Sequence, residues 1–90
     1  MIGPIVVEPD QTEVEATVGR MIDFNVGDNP ENWSIETDNP EVLSVTPGKK
    51  EGDAYFNPGA EALAVGTATV TLTDTKSNLD AMEYTVTVTE

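Results

Sequence analysis

Apolar and polar residues alternate at every second position along much of this chain. The clearest run is Met82-Glu83-Tyr84-Thr85-Val86-Thr87-Val88-Thr89 near the C-terminal end. Successive side chains of a strand point to opposite faces. Met82, Tyr84, Val86 and Val88 are therefore expected to face a core, and Glu83, Thr85, Thr87 and Thr89 the solvent. Ala68-Thr69-Val70-Thr71-Leu72-Thr73 repeats the pattern, with Ala68, Val70 and Leu72 inward. The two runs flank a polar connection, Asp74 to Ala81, and predict a hairpin with a long loop.

The earlier strands are shorter. Ile5-Val6-Val7 opens, and Pro9, which has no N–H to give a ladder, ends it. Glu13 to Val18 continues along a sheet edge, with Val14, Ala16 and Val18 on its apolar side. Gly19-Arg20 is a tight connection into Met21 to Val26, where Ile22, Phe24 and Val26 share a face. Gly27-Asp28-Asn29-Pro30-Glu31-Asn32 is dense in turn formers. Trp33 to Thr37 is the next strand, with Trp33 and Ile35 on one side. Asp38-Asn39-Pro40 turns the chain into Val42 to Val45. Pro47 to Gly52 reads as a turn and Ala54 to Asn57 as a short strand. Pro58 to Gly66 reads as a loop or extended segment: Ala60-Glu61-Ala62-Leu63-Ala64 has helical propensity, but the run is too short for a stable helix.

Short strands at close spacing, turns rich in Gly and Pro, and no long helix predict an all-β fold. The expected form is an immunoglobulin-like antiparallel β-sandwich of about seven strands. Ninety residues, 1–90, make a single domain with one core. That core is expected to hold Val7, Val14 or Ala16, Ile22, Phe24, Val26, Trp33, Ile35, Val42 or Leu43, Val45, Ala68, Val70, Leu72, Tyr84, Val86 and Val88. Phe56 is expected to close one end. Asp23 alternates outward between Ile22 and Phe24, so it is expected at the surface, and it would demand a partner if buried.

Taken in order, the pieces resemble the group 2 bacterial Ig-like domain. Ile5-Val6-Val7-Glu8-Pro9 opens, and Thr17-Val18-Gly19 precedes Met21-Ile22-Asp23-Phe24. Trp33-Ser34-Ile35 precedes Asp38-Asn39-Pro40-Glu41-Val42, with Val45 beyond. Ala64-Val65-Gly66-Thr67-Ala68-Thr69-Val70-Thr71 and Tyr84-Thr85-Val86-Thr87-Val88 close the chain. The likeness runs from about Ile5 to Thr89 and departs from the family between Gly48 and Leu63, which is longer and more polar than the usual connection. The resemblance implies a non-enzymatic module of a secreted or cell-surface bacterial protein, acting as a spacer or as an adhesion platform. Its partners would be neighbouring modules, or a protein or carbohydrate ligand. Such domains also occur in phage virions, so a tail or capsid decoration module with weak carbohydrate adhesion is the alternative. The chain also bears a lesser likeness to chagasin-type cysteine-peptidase inhibitors, in Asn29-Pro30 followed by Trp33. The Thr-Thr-Gly of their first loop is replaced here by Glu31-Asn32-Trp33, and their Gly-rich and Arg-Pro-Trp loops have no counterpart. Inhibition is not expected.

Composition narrows the chemistry. Seventeen Asp and Glu against four Lys and Arg give a formal charge of −13. Phosphate-rich partners are repelled, so neither nucleic acid nor anionic membrane is expected, and no apolar run approaches the ~20 residues of a membrane span. Met1-Ile2-Gly3-Pro4 has no basic stretch leading into an apolar one, so the expectation is a mature or excised module without a signal peptide. There is no cysteine and no histidine, which removes the thiolate, the commonest general base and the commonest transition-metal ligand. Glu13 and Glu15 share a strand face opposite Val14 and Ala16, and read as the solvated side of an edge. No catalytic residue and no cofactor is expected.

Calcium is the one metal the composition suits, because it takes oxygen ligands. In an immunoglobulin topology the connections Gly27–Asn32, Pro47–Asp53 and Asp74–Ala81 gather at one end. They carry Asp28, Glu31, Glu51, Asp53, Asp74 and Asp80 as candidates for a calcium-dependent adhesion module, together with Lys49, Lys50 and Lys76, which would offset that charge. No Asp-x-Asp-x-Asp-Gly loop is present. Trp33 is either an exposed platform for carbohydrate or a core residue beside Ile35, and the second is expected.

Overall fold

A computed structural model describes residues 4–27, 29–76 and 81–90. Among them the chain forms ten strands: β1 Ile5–Val7, β2 Glu13–Thr17, β3 Met21–Phe24, β4 Trp33–Thr37, β5 Leu43–Thr46, β6 Lys49–Glu51, β7 Ala54–Phe56, β8 Gly59–Ala62, β9 Gly66–Asp74 and β10 Met82–Thr89. A single 3-10 turn, Pro30–Asn32, precedes β4.

Two four-stranded sheets face each other, ordered β1-β3-β8-β5 and β2-β10-β9-β4, and β6 and β7 form a separate hairpin. With that hairpin set aside, the order is that of an immunoglobulin sandwich. The sheets are mixed rather than purely antiparallel. β1 runs parallel to β3, with Val6 beside Asp23, and β2 runs parallel to β10, with Val14 beside Val86. The reason is the turn after Val7. Gln11 N–H donates to the Glu8 carbonyl at 3.0 Å, which reverses the chain and carries β2 across to the other sheet.

The alternating residues bury as expected. Val7, Ile22, Phe24, Trp33, Ile35, Ala68, Val70, Leu72, Tyr84, Val86 and Val88 are all in the core. Val14 and Ala16 are both buried, as are Val42 and Leu43, while Val26 and Val45 pack partly buried against them. A closed two-sheet interior of this kind removes apolar area from water at about 25 cal/mol per Å².

Several expectations are corrected. Pro47–Gly52 is not a simple turn, because Lys49–Glu51 pairs with Ala54–Phe56 as a hairpin. Pro58–Gly66, expected as a loop or an extended segment, is extended over Gly59–Ala62, an interior strand bonded to β3 on one side and β5 on the other. Ala60 and Ala62 are core residues that the helical propensity concealed. Phe56 does not close the core, since it stands exposed on the hairpin, and Val18 lies exposed beyond the end of β2. Between Asp74 and Ala81, residues 77–80 lie outside the described residues.

Candidate functional site

The sandwich has two poles. At one, Ile5 lies beside Ile22 near the start of β3, and Thr89 lies beside Thr17 at the end of β2. Val18 N–H donates to the Thr89 carbonyl at 2.9 Å, and Ile5, Thr17, Arg20 and Thr89 line one small depression. The first and last strands therefore meet at this pole.

The connections gather at the other pole. Thr75 donates to the Asn32 carbonyl through both its N–H and its Oγ1, each at 2.8 Å. The β6–β7 hairpin packs against the Pro30–Asn32 turn. That contact needs Gly48, because a Cβ there would collide with the Pro30 carbonyl. At the hairpin tip, Gly52 takes a φ of 58°, which a glycine adopts without strain. Lys49 Nζ lies 3.3 Å from a Glu51 oxygen and 5.1 Å above the Phe56 ring, and Lys50 Nζ stands 5.2 Å above Tyr55. Each lysine thus stacks on an exposed aromatic ring across the hairpin. Beside it, Gly27, Asn29, Pro30, Tyr55 and Asn57 line a polar depression of about 570 Å³.

The outer face of the β1-β3-β8-β5 sheet carries a further concavity, about 510 Å³. Pro4, Met21, Asp23, Pro47, Phe56 and Gly59 are among its lining residues, with Arg20 and Lys49 also present. Sheet register explains its floor. Val6, Asp23 and Gly59 lie side by side on neighbouring strands. Paired residues share a face, and Gly59 has no side chain to fill its place. Asp23 is half-buried instead of fully exposed, and its Oδ1 is buried with no hydrogen-bond partner.

The calcium candidates do not assemble into a cage among the described residues, where no three acidic side chains come together to hold an ion. Glu31 is half-buried, Asp53 and Glu51 are exposed, and Asp74 accepts from Lys76 N–H at 2.9 Å. Asp28 and Asp80 lie outside the described residues. Trp33 is buried in the core and offers no exposed platform. The exposed aromatics are Tyr55 and Phe56, and their hairpin was signalled by Gly52-Asp53, a two-residue turn pair between two short runs. Among the described residues no helix is long and apolar enough to cross a membrane.

No family model matches this sequence, and no curated protein matches it. Solved structures do. The cysteine protease inhibitor EhICP2 of Entamoeba histolytica superposes with a TM-score of 0.68 at 17% identity, over 97% of this chain and 96% of that one. Domains 4 and 5 of the S-layer protein SbsC match with a TM-score of 0.64 at 20% identity, over 90% of this chain and 43% of that one. The chain shares their β-sandwich fold. At these identities the likeness extends to the fold alone.

Proposed function

We propose that this chain is a non-enzymatic Ig-like module of a secreted or cell-surface bacterial protein, of the group 2 kind, and that it works as a binding platform more than as a spacer. The observation that carries this reading is the division of the poles. A neighbour joined at either end would attach where β1 begins and β10 ends. The hairpin, the 3-10 turn and Thr75 then project away from the attachment, free to meet a protein or carbohydrate partner. The sandwich likeness to S-layer domains is consistent with a surface setting. The rigid two-sheet core supplies the geometry, and the exposed Tyr55 and Phe56 supply contact area at low entropic cost.

The reading is tested by anchoring the chain on a cell surface through its N-terminal end and, separately, through its C-terminal end. A peptide tag inserted at Gly52 is expected to be equally accessible to antibody in both forms. Binding to extracellular protein and glycan arrays is expected to be lost when 27–32 and 49–56 are replaced by short linkers. Accessibility from only one anchor, or binding that survives the replacement, overturns the platform reading.

A further inference from the structure

We propose that the depression beside the β6–β7 hairpin is a subsite for a neutral saccharide. One sugar ring stacks on Tyr55, and Asn29 and Asn57 hydrogen-bond its hydroxyls. This deepens the platform reading, on which it rests for its setting, by naming the ligand class and the residues that hold it.

The concavity supplies the first observation. Gly27, Asn29, Pro30, Tyr55 and Asn57 line about 570 Å³, a size at which small ligands bind. The lining is tied down by the backbone. Gly27 N–H donates to Asn25 Oδ1 at 3.1 Å, Asn32 N–H to the Asn29 carbonyl at 3.0 Å, and Phe24 N–H to the Pro58 carbonyl at 2.9 Å. The hairpin itself is seated on Pro30 through Gly48. Little ordering is then left for binding to supply.

Tyr55 is the second observation. It is 53% exposed. Tyr55 pairs with Lys50, and Phe56 with Lys49, so the two rings point to opposite faces of the hairpin. Only Tyr55 lines this depression, while Phe56 lines the cleft on the sheet face. Lys50 Nζ stands 5.2 Å over the Tyr55 ring and does not line the depression. The ammonium and the sugar therefore take opposite sides of the ring. A single amphipathic ring matches the C–H face of one pyranose. A proline-rich peptide would need a groove walled by several aromatic side chains.

The polar groups select hydroxyls. Each carboxamide of Asn29 and Asn57 both donates and accepts, and among the described residues neither is hydrogen-bonded. A sugar hydroxyl also does both. Asn29 takes a φ of 56°, where glycine would be easiest; asparagine tolerates it and adds an amide. No charged side chain is among the described residues that line the depression, although 23% of the chain is charged. The formal charge of −13 repels uronates and sialylated glycans. The ligand is therefore a neutral sugar.

The probes are cellobiose, maltose and lactose, titrated against the free ¹⁵N-labelled chain, with sorbitol as a control that has hydroxyls and no ring. At least one disaccharide is expected to give saturable amide shifts at Gly27, Asn29, Tyr55 and Asn57 in the millimolar range, and sorbitol none. Tyr55→Leu is expected to weaken binding about tenfold. Asn29→Gly, which keeps the positive φ and removes the amide, is expected to weaken it about fivefold. Phe56→Leu, on the other face of the hairpin, leaves binding unchanged. No saturation by about 50 mM of any disaccharide, sorbitol shifts of equal size, or shifts centred on Met21 and Phe56 would each overturn the subsite. If that happens while array binding still needs 27–32 and 49–56, the platform reading stands without it. A titration that succeeds while the tag at Gly52 is masked from one anchor supports the subsite and overturns the platform reading alone.

Discussion

The ring of Tyr84 lies 5.2 Å from the ring of Phe24, tilted by 55°. Tyr84 belongs to β10 and Phe24 to β3, so this contact joins the two sheets at the centre of the sandwich. Tilted pairs at this separation are favoured by the ring quadrupoles beyond the area they bury. Phe24→Ala empties the middle of the interface and is expected to cost about 3–5 kcal/mol, close to the whole stability of a small domain. A urea melt that loses less than about 1 kcal/mol would mean that the sheets are held together elsewhere.

Tyr84 also gives a pH dependence. Burial first, and the Asp10 carboxylate second, push its phenol above the ordinary 10.0. The unfolded chain therefore ionises at lower pH than the folded one. The contribution is fully present below pH 10 and is lost as pH rises through the folded value. Tyr84→Phe removes this slope, along with the contact from the phenolic O–H to Met82 Sδ at 3.7 Å. Melting curves of both proteins between about pH 8 and 12 check it: parallel declines would show that Tyr84 is not the source.

Gly48 and Gly52 separate two reasons for glycine. Alanine at 48 meets the Pro30 carbonyl, so the hairpin must lift from the 3-10 turn. Alanine at 52 meets nothing but must adopt a positive φ. Gly52→Ala is expected to cost about 1 kcal/mol, and Gly48→Ala more. Thermal melts rank the two, and the reverse order would contradict the packing described.

Edge strand β2 carries exposed Glu13 and Glu15 beside Thr85 and Thr87. Charge on an edge discourages pairing with another copy. The double variant Glu13→Val, Glu15→Val keeps the core intact and is expected to self-associate. Sedimentation that remains monomeric at high protein concentration would show that something other than charge protects this edge.

Where one face of a strand is wholly apolar, as in β9 and β10, the sequence declares both the strand and its buried side. Alternation fades where that contrast is missing. β8 offers only Ala60 and Ala62 to the core, and alanine favours helix locally; pairing on both flanks overrides the preference. β6 and β7 bury neither face, so only Gly52-Asp53 betrays their hairpin. The direction of β1 depends on whether the chain reverses after Val7, which composition does not encode. Asp23 was legible as an outward residue, but the concavity beside it depends on Gly59, which is distant in sequence and adjacent only through register.

Because β1 begins and β10 ends at one pole, a pull that separates the two ends acts on their outermost hydrogen bonds first. Ile5 would peel from Ile22 before Val7 is disturbed, and Thr89 from Thr17 before Val86. The bonds fail one after another, as a seam opens stitch by stitch, instead of resisting together in shear. Such a module yields at low tension, and suits a place beside the line of mechanical stress, not within it.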